Sequence, residues 1–180
     1  MKTLSSLIFI LLISTSMSYS QDTRTDGIII PEFGKTFNVE DKDVAVDTTQ
    51  NMSVIFDISS SADDRNVMNK LIETAARFLN MHAAAGFKKE QLNVAMVIHG
   101  GAWQDILKDE FYQAKFGMPN PNTKLIKALS DAGVDIILCG QTAGFREIDK
   151  DELNENVKMA LSAMTTLIQY DKKGYTILKL

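Results

Sequence analysis

The chain has 180 residues, 45% of them hydrophobic and 23% charged, with a formal net charge of −4 at neutral pH, two histidines and one cysteine. Charges of both signs are spread without long like-charge runs, so there is no electrostatic footprint for a nucleic-acid partner, and one cysteine cannot form an internal disulfide. The two histidines and the cysteine lie far apart in sequence, so no metal-binding spacing is present, and nothing calls for an organic cofactor.

The chain opens on "MKTLSSLIFILLISTSMSYS", which reads as a secretory signal peptide over residues 1–20. Lys2 supplies the positive start, and Leu4 to Ile13 the apolar stretch. Ser18 and Ser20 are the small residues of a cleavage site before Gln21. The apolar run is about ten residues where a spanning helix needs roughly 20. The segment is therefore expected to direct export, to the periplasm or outside the cell, and to leave no membrane span after cleavage. Its removal leaves 160 residues, a length for one domain with a full core, and takes the charge to −5 by loss of Lys2.

Residues 21–51 mix short apolar runs with Pro31, Gly34 and many acids, without a helical period. They read as an N-terminal arm packed on the domain, with an edge strand expected around Lys35–Val39. Residues 52–180 form the domain. "SVIFDIS" (53–59) is a β-branched and aromatic strand, and "SSADDRN" after it is rich in helix-starting residues. From Val67 through Met68, Leu71, Ile72, Ala75, Phe78 and Leu79 the apolar residues recur on one helical face, and Gly86 ends it.

"LNVAMVIHGG" (92–101) is a second, nearly continuous apolar strand. A short helix is expected near Trp103–Leu107, then a loop with exposed aromatics at Phe111, Tyr112 and Phe116. "NPNTKLIKALSDAG" reads as a compact helix capped by Asn120 or Asn122 and ended by Gly133. "VDIILCG" is a third buried strand and "QTAGFREI" a loop. Asp149 and Glu152 have capping-box spacing before an apolar face of Leu153, Val157, Ala160, Leu161, Met164, Leu167 and Ile168, which predicts a long helix. "GYTILKL" closes the chain as a strand.

Strands alternating with helices, each strand apolar on both sides, predict a three-layer α/β/α sandwich with a mostly parallel sheet of four to five strands. Such sheets bind ligands beyond the carboxyl ends of their strands. His99 and Cys139 both sit at those ends, in "VIHGG" and "LCGQTA". Gly100 and Gly101 let a ligand approach the backbone closely. Cys139 can meet turn N–H groups, and Arg146 if it folds back, either of which favours thiolate over thiol. A helix expected to start near Lys150 is too distant to add its dipole. From the residues alone Cys139 stays open between a reactive thiol and a buried core residue, and His99 between a proton carrier and a turn-stabilising side chain. His82 belongs to the helix face. A hydrolase of Cys, His and Asn type needs an orienting partner such as Asn122. Nucleotide binding is disfavoured, because "SSSADDRN" lacks phosphate-cradling glycines, and a receiver-type phosphoacceptor lacks paired acids beside Asp57.

The ordered blocks "FDIS", "ARFLNMHAAAG", "VAMVIHGGA", "NPNTKLIKALSDAGVDIILCGQTA" and "VKMALSAMTTLIQYDKKGY" resemble the DsrE/DsrF-like family, in its exported single-domain branch. The resemblance implies an α/β/α domain that assembles into homo-oligomers, trimers or hexamers, and a cysteine that accepts and passes on sulfane sulfur as a persulfide. On that reading Cys139 is the sulfur-bearing residue and His99 its partner. Gly100, Gly140, Gln141 and Thr142 build the pocket around the anionic sulfur, and a sulfur donor or acceptor protein is the partner. The chain would then be a sulfur carrier or sulfurtransferase with no organic cofactor. Two other readings stay open: a non-catalytic small-ligand-binding module, and an oligomeric interaction protein using the aromatics around Trp103, each with a structural cysteine.

Overall fold

The computed structural model describes residues 23–180; the expected signal segment, residues 1–20, lies outside them. Five strands, β1 (Met52–Ile58), β2 (Leu92–Ile98), β3 (Asp135–Cys139), β4 (Val157–Ala160) and β5 (Thr176–Lys179), form one sheet in the order β4-β3-β2-β1-β5. Every pairing is parallel. The helices α1 (Lys70–Ala84), α2 (Asp109–Phe116), α3 (Thr123–Asp131), α4 (Gly140–Arg146) and α5 (Ala163–Lys172) alternate with them. Among the described residues no helix is long and apolar enough to cross a membrane.

The strands are apolar on both sides because both faces are covered. Even-numbered positions of β1 to β3 (Phe56, Ile58, Met96, Ile98, Ile136, Leu138) join the larger core with Ile72 and Leu79 of α1 and Leu125, Ile126 and Leu129 of α3. Odd-numbered positions (Ile55, Ala95, Val97, Cys139) face α5, where Ala163 and Leu167 complete a smaller cluster. The result is the three-layer α/β/α sandwich that the strand pattern predicts.

α1 starts at Lys70 rather than Val67, because the Asn69 side chain accepts from the Leu71 N–H and caps the helix there. Asn69 also donates to Asp105 Oδ2 (2.7 Å), and its own N–H donates to Asn122 Oδ1 (2.8 Å). Asn122 and Ser61 in turn donate to Asp105 Oδ1. Burial raises the carboxyl of Asp105 above the usual range, against the hydrogen bonds of Ser61, Asn69 and Asn122 and the charge of Arg65, which favour the carboxylate. This buried polar network joins the starts of α1 and α3 to the 3-10 turn Gly100–Ile106.

The arm is tied to α1 by Asn80. Its Oδ1 accepts from Ile29 and Ile30 N–H, and its Nδ2 donates to the carbonyls of Ile30, Phe33 and Gly34. The edge strand expected at Lys35–Val39 is replaced by one antiparallel bridge, Thr25 to Thr36, so the fifth strand comes from elsewhere.

That strand is β4, which corrects the long helix expected from Leu153 to Ile168. Asn154 folds the chain into a turn by accepting from Asn156 N–H, and Val157–Ala160 pair with Ile136–Cys139. A four-residue edge strand buried mainly at Val157 is too short to show a period of two, and its apolar residues fall by chance in helical register with those of α5. The loop expected at "QTAGFREI" is α4, whose seven residues bury one side chain, Ala143, so no apolar face marks it. The loop expected after Leu107 is α2. Its Tyr112 is buried, its hydroxyl donating to the Arg65 carbonyl, and Trp103, Phe111 and Phe116 are half-buried.

Candidate functional site

Asp57 and Cys139 are the last α5-facing positions of β1 and β3, and His99 is the residue that follows β2. β2 and β3 are neighbours, and their last registered pair is Ile98 with Leu138. His99 and Cys139 are each the next residue, so the sheet brings them side by side. Asp57 faces Val97 in the register of β1 and β2, one step below His99 on the same face. The His99 ring reaches back to it, with Nε2 2.7 Å from Asp57 Oδ1. Asp57 is the more enclosed of the two side chains.

Two helices begin at the sulfur. Cys139 is the residue before α4, and α5 starts at Ala163, capped by Ser162, whose Oγ accepts from Thr165 N–H. Both starts present unpaired backbone N–H groups, as helix N-termini must. Burial pushes the Cys139 thiol up, but the N–H groups of Thr142 and Ala163, the Thr142 hydroxyl and the Gln141 N–H together hold it below the ordinary cysteine value. Cys139 is 5% exposed, so thiolate stability here rests on aimed donors rather than on water. The sequence placed the next helix start near Lys150; α4 at Gly140 and the amino end of α5 correct that distance.

Backbone geometry requires glycine at two points. A Cβ on Gly140 would stand 2.5 Å from the Ala160 carbonyl oxygen, so only glycine lets α4 start against the end of β4. Gly100 has φ +54°, and a Cβ there would lie 2.8 Å from the Ser59 carbonyl oxygen. Its N–H donates to Thr142 Oγ1 at 3.3 Å. Thr142 thereby joins the turn after His99 to the helix after Cys139.

These elements enclose a cavity of about 250 Å³, with Asp57, His99, Cys139 and Gln141 on one side and Ser162, Ala163, Met164 and Leu167 of the α5 start on the other. Gln141 Nε2 donates to the Leu161 carbonyl (3.2 Å) and closes one wall. A shallower groove of about 310 Å³, between the arm and the end of α3, is lined by Ile30, Glu32, Lys89 and Asp131 and holds no nucleophile. Among the described residues no three or more histidine, cysteine or acidic side chains cluster to hold a metal ion.

Of the residues singled out from sequence, Cys139, His99 and Gln141 line the cavity, Thr142 faces the sulfur, and Gly100 and Gly140 shape the walls. Asn122 is fully buried in the Asp105 network, away from the cavity, and is not the partner of His99. Arg146 lies at the far end of α4, over the Phe145 ring, and does not fold back. His82 bonds the Phe78 carbonyl within α1. Sequence reasoning missed Asp57, Ser162, Met164 and Leu167. Asp57 had a signal: an acid inside an otherwise apolar strand faces a cost unless it is paired. The others lay in what read as the middle of a helix.

The DsrE/DsrF-like family model matches residues 52–180. A protein of unknown function from Methanobacterium thermoautotrophicum, MTH1491, superposes with a TM-score of 0.55 at 15% identity, over 72% of this chain and 100% of its own. The ychN protein from E. coli superposes with a TM-score of 0.53 at 13% identity, over 72% of this chain and 99% of its own. At such identities the likeness is one of fold. No curated protein matches the sequence. The family match begins at the first residue of β1 and contains the whole sheet and both walls of the cavity, and on that match this chain belongs to the DsrE/DsrF-like family.

Proposed function

We propose that the protein binds or transfers sulfane sulfur as a persulfide on Cys139. The observation that carries this reading is the set of four donors, from Gln141, Thr142 and Ala163, that favour the thiolate of a nearly buried cysteine opening on a cavity. A structural core thiol has no need of such donors; a sulfur nucleophile does. The thiolate attacks the outer sulfur of a donor. A new S–S bond forms at Cys139, the donor's S–S bond breaks, and the leaving group departs with the electron pair. The terminal sulfur then sits in the cavity until an acceptor thiol removes it. No metal or organic cofactor takes part in this exchange.

The reading of residues 1–20 as a signal peptide supports a site of action outside the cytoplasm, in the periplasm or beyond. A homo-oligomer, trimer or hexamer, fits the apolar surface beside the cavity. Leu161, Met164 and Ile168 are 71%, 71% and 57% exposed, Met164 and Ile168 one turn apart on α5 and Leu161 just before its start, and Phe145 of α4 is 83% exposed. Single exposed apolar residues are ordinary, but several at the start of one helix support a contact surface. The aromatics around Trp103, the surface expected from sequence, are partly covered at Trp103, Phe111 and Phe116 and buried at Tyr112, which favours the α5 side for such a contact.

Intact-mass measurement after inorganic polysulfide treatment tests the proposal. Wild type gains sulfur that an acceptor thiol removes, and Cys139→Ser gains none. Equal sulfur on both proteins would discard the reading in favour of a ligand-binding module with a structural cysteine.

A further inference from the structure

The pairing of Asp57 with His99 defines what the cavity does to a donor's leaving group, and so which donors it serves. With Nε2 committed to the Asp57 carboxylate at 2.7 Å, the ring nitrogen left for a ligand is Nδ1. A carboxylate on one nitrogen orients the ring and fixes which nitrogen is left for a ligand. The cavity's described lining has no lysine or arginine; its acidic groups are the Asp57 carboxylate and the Cys139 thiol, and its one basic group is the His99 ring. Lys179 of β5 is in register with Asp57 but does not line the cavity, and Asp135 and Lys158 pair with each other at the opposite end of this sheet face.

From this juxtaposition we propose that Asp57 is a positioning residue that holds His99 as the proton donor to a departing thiolate, and that the donor class is an organic hydropersulfide rather than an anionic sulfur oxoacid. The inference rests on the persulfide reading of Cys139. In the step, the Cys139 thiolate attacks the outer sulfur of R–S–SH and Cys139–S–SH forms. The donor's S–S bond breaks toward R–S⁻, and the imidazolium proton passes to R–S⁻. The products are R–SH and neutral His99; no external oxidant or reductant is needed. An alkyl thiolate is a strong base, with a conjugate acid near pKa ~8.5, so its departure gains from a proton. Thiosulfate brings two negative charges into a cavity where a carboxylate and a thiolate face the single basic group of His99, and its sulfite leaving group needs no proton.

The test follows sulfur loading of Cys139 in the full chain by rapid-quench mass spectrometry, with hydropersulfides of alkyl and aryl thiols and with thiosulfate. Iodoacetamide alkylation of Cys139 serves as a reaction with no thiolate to protonate. Wild type is expected to load from the alkyl hydropersulfide at least about 10-fold faster than from thiosulfate. Asp57→Asn slows the alkyl donor by roughly 10- to 100-fold, the scale of a lost general acid. The same variant changes the aryl donor, whose thiolate leaves unaided, and alkylation by less than about 3-fold. His99→Gln gives the same pattern and stands in if Asp57→Asn does not fold, as judged by circular dichroism. Equal slowing of alkyl and aryl donors, or no slowing of either, overturns the role of Asp57. Thiosulfate loading as fast as the alkyl hydropersulfide overturns the donor class. Absence of sulfur on wild-type Cys139 with every donor is a different result, and removes the persulfide reading itself.

Discussion

At the scale of single residues, Cys139 is defined by what faces its sulfur. Thr142 contributes twice, through its N–H and its hydroxyl, and it also receives the Gly100 N–H. Thr142→Val keeps the shape and the backbone donor but removes the hydroxyl. The loss of one hydrogen bond to a charged group is expected to slow alkylation of Cys139 at neutral pH by roughly 3- to 10-fold, with the thiol titrating at higher pH than in wild type. Unchanged alkylation would mean that the backbone donors alone set the thiolate. "LCGQT" showed that a cysteine ends a buried strand and that a glycine follows. It did not show the Ala163 N–H, which arrives from a helix more than twenty positions later.

At the scale of elements, legibility followed length and burial. β1, β2, β3, α1 and α3 were readable because each carries at least four buried apolar residues or a full helical face. α4 and β4 were not: the first buries one side chain, and the second is a four-residue edge strand. That failure also hid half the cavity, since the wall formed by Ser162, Met164 and Leu167 depends on α5 beginning at Ala163. Asn122 illustrates the converse. Its polar character and placement before a helix suggested a site, whereas it is fully buried and shared between Asn69, Asn120 and Asp105. Asn122→Ala strands the Asn69 N–H and weakens the Asp105 carboxylate, and is expected to cost about 1–3 kcal/mol, read as a lower urea midpoint with unchanged slope. Cys139 alkylation in the folded variant should match wild type. Slowed alkylation at unchanged stability would place Asn122 in the site after all.

At the scale of the molecule, the two sides of the sheet are unequal. Among the described residues one is covered by α1, α3 and the turn Gly100–Ile106, and the other by α5, with β5 exposed along its length. The candidate cavity opens on this thinner side, where Met164 lines it and Leu161 and Ile168 are exposed. If copies of the chain pack here, their contact surrounds the mouth of the site. Leu161→Asp places a charge on that surface without touching the core, and is expected to reduce the assembly to smaller species in light scattering. An assembly of unchanged mass would assign the contact to another face. The parallel order of the sheet was within reach of sequence reasoning, but the asymmetry was not, because it arises from which helices land on which face.

Sulfur chemistry at Cys139 depends on one property, a thiolate stabilised within the fold, and the rate of iodoacetamide alkylation of Cys139 against pH measures it most directly. Donors that favour the anion lower the pH at which the thiolate appears, so the rate profile is expected to have its midpoint below that of an unperturbed cysteine thiol measured alongside it. A midpoint above that value would show burial prevailing over the donors of Gln141, Thr142 and Ala163, and would return Cys139 to the core.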